Sequence, residues 1–600
     1  MTQLFPITIP SFSDKISSMA FHPENPLVVQ SDKTVLLEVR NDLYADARDA
    51  LARFAELEKS PEYLHTYRIT PLSLWNAAAA GLTADQVIAS LTQYAKYDVP
   101  DNVRIDINET ISRYGRLKLT RFEQGDLLLS SSDQPLIEEI TRHRSLSPFI
   151  KARIDASSLL VDAANRGKIK QALISFGYPA EDLAGYITGA ELPFALRNPT
   201  RSGDSFTLRA YQREAVDVFH AGGADRGGSG VIVLPCGAGK TMVGMGAMAA
   251  LQTATLILTP STVAARQWIR ELLDKTTLLE DQIGEYTGLE KEIRPVTIAT
   301  YQIITYRRRK SEDYPHFALF DQANWGLIIY DEVHLLPAPV FRITAELQAR
   351  RRLGLTATLV REDGRQTDVF SLIGPKKFDM PWKLLEKQGW IAEAECYEIR
   401  VNLAEDERMV YALTPEEEKY RMASTNPAKY PVLDSLLEKH TEDSILIIGM
   451  YIDQLERIAS RYELPLITGS TPVKQREQLF ERFRSGEVRR LVISKVGNFA
   501  IDLPDANVAI QVSGTFGSRQ EEAQRLGRIL RPKKNGLLAH FYSIITRDTR
   551  DQDFAANRQL FLTEQGYHYT ILYAHELDNF QPATLSSRFL EERRLPAGTS

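Results

Sequence analysis

The sequence predicts an α/β chain with two parallel-sheet lobes in tandem, preceded by a smaller α+β module. Three observations predict it. From about residue 205 onward, short and nearly continuous apolar runs alternate with helical spacing, as strands buried on both faces do. A glycine-rich turn ending in Lys240 and Thr241 follows the first of these runs, and an acidic pair, Asp331 and Glu332, follows a later one. The length of 600 residues allows roughly four units of ordinary domain size.

The elements follow in order. Pro71 to Gly81 and Thr83 to Tyr97 carry helical apolar spacing, with Thr83 as an N-cap, and a third helix covers Asn102 to Ser112. Gly115 to Leu119 and Asp126 to Leu129 read as strands, with Glu123 to Gly125 as the turn. Three helices and a hairpin make residues 1–130 a winged-helix-like module. Residues 131–200 read as a small accessory domain and linker. A helix lies around Lys168 to Phe176 and a strand near Leu159, and Pro193, Pro199, Ser202 and Gly203 mark Gly189 to Ser205 as the linker.

Residues 201–380 form the first lobe. Its strands are Val231–Leu234, Thr255–Thr259, Val296–Ala299, Leu327–Tyr330 and Arg352–Leu355. Residues 381–550 form the second, with strands Ser444–Gly449, Leu464–Thr468, Leu491–Ser494 and Val508–Val512. Residues 551–600 are a C-terminal extension with a polar, mobile end.

Bulk properties narrow the class. A net charge of −6 excludes a small basic DNA-binding domain but leaves room for a local basic groove. The two cysteines, Cys236 and Cys396, lie far apart, which excludes a disulfide scaffold or a cysteine zinc site and indicates a reducing compartment. No basic stretch leads into an apolar segment at the start, and no apolar run approaches about 18 residues. The reading is a soluble cytoplasmic protein with no membrane partner.

LPCGAGKT (Leu234 to Thr241) carries the working end of a phosphate loop, although Leu234 replaces the first glycine of the strict pattern. Pro235, Cys236, Gly237, Ala238 and Gly239 form the turn whose backbone N–H groups face phosphate. Lys240 reaches the β- and γ-phosphates, and Thr241 ligates the metal. DEVH (Asp331 to His334) sits at the carboxyl end of a buried strand, where α/β sheets bind ligands. Asp331 is the second metal ligand and Glu332 polarises the attacking water. Singly, these read as a glycine turn and a solvated acidic pair. Together in one alternating unit they read as an ATP site, with His334 coupling it to the nucleic-acid surface. Just upstream, LRAYQ brings Arg209 and Gln212, the glutamine matching both edges of adenine.

In the second lobe, QRLGRILR spaces Arg528 and Arg531 three apart, on one helical face. Guanidiniums brought from another lobe neutralise charge on the transferring phosphoryl group. Gln524 lies one turn before Arg528 and meets the γ-phosphate or the water. The alternative for this run is a solvated basic face.

With these residues in place, the chain resembles the superfamily 2 helicases, and among them the XPB family of DNA repair and transcription helicases. The likeness rests on GVIVLPCGAGKT (Gly230 to Thr241), WGLIIYDEVHLLPA (Trp325 to Ala338), LGLTATLVRED (Leu353 to Asp363), SRQEEAQRLGRILRPKK (Ser518 to Lys534) and TYRITPLSLWNAAAAGL (Thr66 to Leu82). It implies two tandem RecA-like lobes, ATP and Mg²⁺ as cofactors, and 3′→5′ DNA unwinding in repair. Single-stranded and tailed duplex DNA are the implied partners, with a nuclease or repair protein alongside. Lys240, Thr241, Asp331, Glu332, Gln524, Arg528 and Arg531 match the ATPase positions, and Asp502 in SKVGNFAIDLP joins the ATP ligands. Thr356 and Thr358 match the motif that couples hydrolysis to strand movement; Arg361, Glu362 and Asp363 match the element linked to unwinding. A thumb-like insertion corresponds to about 403–429, and 131–200 to a damage-sensing domain. The long acidic insertions of eukaryotic members are lacking, which implies a prokaryotic chain working at the nucleoid.

DNA contacts fall on the backbone, since a traveller over any sequence gains nothing from base readout. The candidates are strand-end residues: Ser261, Arg266, Thr300, Tyr301 and Gln302 in the first lobe, and Thr468, Ser470, Ser494 and Gly497 in the second. Arg307 to Lys310 is an exposed loop or a further part of that groove. A duplex translocase that does not separate strands is the alternative activity.

Overall fold

The computed structural model describes residues 21–582, apart from 62, 226, 236, 310–313, 349, 358–365, 495–505, 517, 519–521, 523–524, 528 and 530–537. Contacts divide the chain into two units, meeting at Tyr114/Gly115.

The first unit is α+β. Strands β1 (Leu27–Val29), β2 (Thr34–Glu38), β3 (Glu56–Lys59) and β4 (Leu64–Arg68) form an antiparallel sheet in the order β1-β2-β4-β3. The three expected helices follow as Pro71–Ala79, Ala84–Tyr94 and Asp101–Arg113. Thr83 caps as expected: its hydroxyl accepts Gln86 N–H, and the Gln86 side chain accepts Thr83 N–H. Leu74, Trp75, Val87, Leu91, Val103 and Ile107 are buried on these helices.

The second unit opens with the expected hairpin, β5 (Leu117–Arg121) and β6 (Leu127–Ser130). With β7 (Ile150–Arg153), β8 (Ser158–Val161) and β9 (Ala180–Leu183) it forms a five-stranded sheet, β7-β8-β6-β5-β9. The expected boundary at 130/131 therefore moves to 114/115. The cause is the hairpin's apolar face: Leu117, Leu119, Leu127 and Leu129 share one core with Leu159, Val161, Ile169 and Leu173, all contributed by the accessory segment.

This accessory domain is docked on the first lobe through buried charge. Asp182 pairs with Arg166 and with Lys170 Nζ (2.7 and 2.9 Å). Lys170 also donates to Gln348 Oε1 (2.9 Å), whose amide nitrogen donates to Thr344 O and Leu372 O. Burial pulls the Lys170 ammonium down to about 8, against the pull of Asp182. The stretch expected to be a linker is a strap on lobe 1. Ala190 N donates to Asn324 O, Leu192 N to Gln252 O and Arg197 N to Lys275 O, while Leu192 and Phe194 enter the lobe's core. Gly189 (φ +77°) makes the crossing possible, since a Cβ there would lie 2.3 Å from Gly326 N.

Lobe 1 is a seven-stranded parallel sheet. Its strands are β10 (Ser229–Val233), β11 (Thr255–Thr259), β12 (Ile283–Tyr286), β13 (Val296–Thr300), β14 (Leu327–Asp331), β15 (Arg351–Thr356) and β16 (Lys376–Asp379), in the order β12-β13-β11-β14-β15-β10-β16. Lobe 2 repeats the plan with β17 (Ala394–Val401), β18 (Ile445–Ile448), β19 (Leu466–Ile467), β20 (Arg490–Ile493), β21 (Val508–Gln511), β22 (Ala539–Thr546) and β23 (Tyr569–Tyr573), in the order β19-β20-β18-β21-β22-β17-β23. All nine strands expected in the two lobes are present.

The expected C-terminal extension is partly lobe 2 itself. The helix Arg550–Glu564 packs on the sheet and β23 is its edge, paired with β17; residues 583–600 lie outside the described residues. Within 403–429, helices Glu405–Leu413 and Glu416–Ser424 form a pair in contact. Among the described residues, no helix is long and apolar enough to cross a membrane.

Candidate nucleotide site

Strands β10, β14 and β15 lie side by side in the sense β14-β15-β10 and end at one edge of the lobe 1 sheet. The loop after β10 turns at Gly237 and Gly239, with φ of +81° and +83°. A Cβ at Gly239 would lie 2.5 Å from Gln212 Nε2, so the turn needs glycine for both reasons. The helix Lys240–Leu251 begins at once and aims its free N-terminal amides and dipole at the loop. Leu234 N donates to Thr356 O (2.9 Å), tying the loop's base to the end of β15.

Asp331 ends β14, and Glu332 follows in a left-handed conformation (φ +50°) that a non-glycine residue holds only under constraint. Trp268 Nε1 donates to Asp331 Oδ2 (2.9 Å), and Tyr301 Oη donates to the Asp331 carbonyl (2.8 Å). Lys240 Nζ lies 3.2 Å from Glu332 Oε1. Burial, reinforced by neighbouring Glu332, pushes the Asp331 carboxyl up to about 6. Burial also works to raise Glu332, but Lys240 and His334 outweigh it and hold that carboxyl below its usual value.

Two carboxylates face one ammonium, and among the described residues Glu332 Oε2 is buried with no hydrogen-bond partner. The donors are hard oxygens, with the half-buried Thr241 hydroxyl next to Lys240, and they fit a hard divalent cation. Among the described residues, no three His, Cys, Asp or Glu side chains converge to hold a metal. A hard cation held at Asp331 would need further oxygen ligands beyond these side chains.

The pair also connects outward. His334 Nδ1 lies 3.4 Å from Glu332 Oε2 and 2.6 Å from Thr356 Oγ1, and His334 and Thr356 are both buried. Lys240, Glu332, His334 and Thr356 thus form one continuous polar line from the phosphate loop to the end of β15. Arg352, four residues earlier on β15, donates to Gln348 O and Leu372 O, beside the Lys170 contact of the accessory domain.

Several expected ligands have other duties. Gln212 is 2% exposed; its amide nitrogen donates to Ala238 O (2.8 Å) and its oxygen accepts Arg209 N–H (3.0 Å). It braces the phosphate loop, a duty that its sequence pattern did not announce. Tyr301 is buried and serves Asp331, so it presents no surface to DNA. Thr300 is buried as the cap of its helix, its hydroxyl accepting Ile303 N–H. Thr468 and Ser494 are likewise buried, Thr468 bonding to Ser470 Oγ (2.8 Å). Ser261, Arg266, Gln302 and Ser470 keep surface, although Ser261 caps a helix and Arg266 reaches Glu285 (3.4 Å). Arg307 stacks on Tyr314. Cys236, Thr358, Arg361, Glu362, Asp363, Gly497, Asp502, Gln524, Arg528, Arg531 and Lys310 lie outside the described residues.

Comparison with known proteins fits this geometry. Residues 385–594 match the family model described as ERCC3/RAD25/XPB C-terminal helicase. Residues 205–361 match that of the Type III restriction enzyme res subunit, and 27–155 that of a helicase conserved C-terminal domain. The chain is 56% identical over 559 residues to the DNA 3′-5′ helicase XPB of Kineococcus radiotolerans, a match covering 93% of this chain and 98% of that protein. The chain belongs to the XPB family of helicases. The XPB of Mycobacterium tuberculosis is also 56% identical, over 92% of this chain and 99% of its own length. The XPB/SSL2 subunit of Saccharomyces cerevisiae, described as a general transcription and DNA repair factor IIH helicase/translocase subunit, is 30% identical over 93% and 73%.

Motif reading did not reach three residues of this XPB-family site: Trp268, Tyr301 as a brace, and Tyr211, whose hydroxyl donates to Ala238 O (2.7 Å). Trp268 is the most testable. A cation at Asp331 would require the ionised carboxylate, and burial raises that carboxyl, so hydrolysis should fall on acidification. Trp268→Phe keeps the ring's packing and removes the N–H donor to the carboxylate. Its pH–rate profile should show the acid limb displaced to higher pH; an unmoved limb would show that the indole N–H does not tune Asp331. The sign for stability is opposite. A carboxyl with a raised folded pKa stabilises the fold fully below its unfolded value, and that contribution is lost as pH rises through about 6.

Proposed function

We propose that this chain is an ATP-dependent 3′→5′ DNA helicase of DNA repair, using Mg²⁺. The observation that carries the reading is the polar line from Lys240 through Glu332 and His334 to Thr356. It links the residue that grips phosphate and the residue that activates water to a strand end that hydrolysis can move. With nucleotide on the loop, Lys240 turns from Glu332 to the phosphates. Glu332 is then freed from that ion pair to orient the attacking water. Thr241 and Asp331 would hold Mg²⁺, which when bound would supply positive charge at the phosphate oxygens.

From the second lobe, Gln524, Arg528 and Arg531 meet the γ-phosphoryl group, so that catalysis requires the lobes to close. In sequence, 524, 528 and 531 are offset by roughly half a helical turn from the buried positions Glu522, Arg525, Leu526 and Ile529. DNA is held through phosphates by Ser261, Arg266, Gln302 and Ser470. The working compartment is the cytoplasm, with a nuclease or repair protein as partner.

ATP turnover measured against single-stranded, tailed and blunt duplex DNA at several salt concentrations tests the reading. DNA should stimulate turnover, less so at high salt, and Lys240→Ala should abolish it. No stimulation by any nucleic acid would leave a phosphate-loop ATPase of another kind. A pure duplex translocase is favoured if blunt duplex stimulates fully and no strand is released. The helicase/translocase description of the yeast relative gives that second reading its weight.

A further inference from the structure

Away from the phosphate loop, lobe 2 buries an ionic cluster centred on Arg558. This residue lies on the helix Arg550–Glu564, and its side chain is 1% exposed. Its Nη1 donates to Tyr420 Oη (3.3 Å), and Tyr420 Oη donates to the Gly514 carbonyl (2.5 Å). The guanidinium rests on Gly514, where a Cβ would lie 2.2 Å from Arg558 Cζ. Nε faces Glu522 Oε2 at 3.7 Å, and Nη2 faces Asp551 Oδ1 at 3.9 Å. Lys429 Nζ donates to Asp551 Oδ2 (2.7 Å), and Tyr569 Oη donates to Glu522 Oε1 (3.2 Å).

These partners come from separate parts of the lobe. Tyr420 belongs to the helix Glu416–Ser424, one of the pair within 403–429. Gly514 follows β21. Glu522 is fully buried and stands two residues before Gln524, at the head of the segment that carries Arg528 and Arg531. Farther along, Arg525 donates to Gln511 Oε1 at the end of β21, and Leu526 and Ile529 enter the core. The head of the segment is thus held by charge and its continuation by apolar packing. Separations of 3.7 and 3.9 Å are too long for hydrogen bonds. A buried ion pair is often no more stabilising than apolar residues of the same volume. What this one fixes is orientation, because a rigid planar fork of donors addresses several elements at once.

We propose that Arg558 is a positioning residue for ATP hydrolysis. Through Glu522 it sets the segment that carries Gln524, Arg528 and Arg531, and through Tyr420 it locks that segment to the helix Glu416–Ser424. The proposal rests on the reading that these arginines meet the γ-phosphoryl group, and it names the group that aims them.

ATP turnover by the full chain on a 3′-tailed duplex, counted per AMP-PNP site, tests this. Arg558→Met keeps an apolar stem and removes the guanidinium. Its kcat should fall about thirtyfold while KM for ATP stays within about threefold, as when catalytic groups are misplaced and substrate binding is intact. Methionine leaves Glu522 buried opposite no cation, so Arg558→Met/Glu522→Gln, which removes both charges, is measured beside it and should show the same loss. Arg558→Lys restores a cation opposite Glu522 and should recover kcat to within about fivefold. Tyr420→Phe keeps the ring against Phe554 and removes the hydroxyl, and should lower kcat about fivefold. A purely structural role would reduce the number of AMP-PNP sites and leave kcat per site unchanged. Wild-type kcat per site in the double variant, or in Tyr420→Phe, would overturn the proposal. Arg528→Ala separates it from the reading beneath it. Lost turnover there, with wild-type kcat in the Arg558 variants, would leave the arginine reading standing and remove only the role of Arg558. Wild-type kcat in Arg528→Ala would overturn both.

Discussion

Glu332→Gln should lower ATP turnover by about a thousandfold while leaving nucleotide binding intact or tighter. A positioned general base contributes roughly 10²–10⁴ in rate. Glutamine keeps the shape and hydrogen-bonding reach of the side chain but cannot accept the proton of water. The ion pair to Lys240 (3.2 Å) is lost as well, so the lysine no longer has to be drawn away from a carboxylate when phosphate arrives. Single-turnover hydrolysis and equilibrium nucleotide binding check the two halves separately. Turnover within tenfold of wild type would mean that another group activates the water. A large loss of affinity would mean that Glu332 supports the loop instead of serving the chemistry.

Thr356→Val should separate hydrolysis from movement. Valine is close in shape and suits a strand position, but it removes the hydroxyl that meets His334 Nδ1 at 2.6 Å. DNA-stimulated ATP turnover should stay within about threefold, while strand release per ATP should fall at least tenfold. Coupling free energies of about 1–3 kcal/mol between sites correspond to roughly 5–150-fold effects. The comparison is made on one preparation, with ATPase and strand displacement measured on the same tailed duplex. Equal loss of both would assign Thr356 to the ATP site itself and cut the line from Glu332 to β15.

Which elements were legible follows from their physical setting. Strands buried on both faces, such as Ile445–Ile448 and Val296–Thr300, read as unbroken apolar runs. Edge strands did not: Ile283–Tyr286 and Lys376–Asp379 carry charge, and Glu56–Lys59 buries Leu57 alone. Ala539–Thr546 is wholly buried yet holds His540, Ser543 and Thr546; Ser543 accepts from Gln511 and Thr546 donates to the Ala423 carbonyl, both far along the chain. The strap at 189–201 carries loop residues and lies against a sheet, because its backbone groups find partners such as Gln252, Lys275 and Asn324, far along the chain.

The site divides in the same way. Lys240, Asp331, Glu332 and Thr356 announce themselves in short local patterns. Their supports do not, because Trp268 reaches Asp331 across 63 residues, Tyr301 across 30, and Tyr211 reaches Ala238 across 27. Gln212 was legible only in part for a related reason. Its pattern marks a place next to the nucleotide, and only the packing against Gly239 fixes which way the amide turns.

The central claim is that ATP on the Lys240 loop drives strand separation with 3′→5′ polarity. It is tested most directly by strand displacement from matched duplexes bearing a 3′ or a 5′ single-stranded tail, with ATP and Mg²⁺. The account predicts ATP-dependent release from the 3′-tailed duplex, little from the 5′-tailed one, and none with Lys240→Ala. Release that persists in Lys240→Ala, or that favours the 5′ tail, would contradict it.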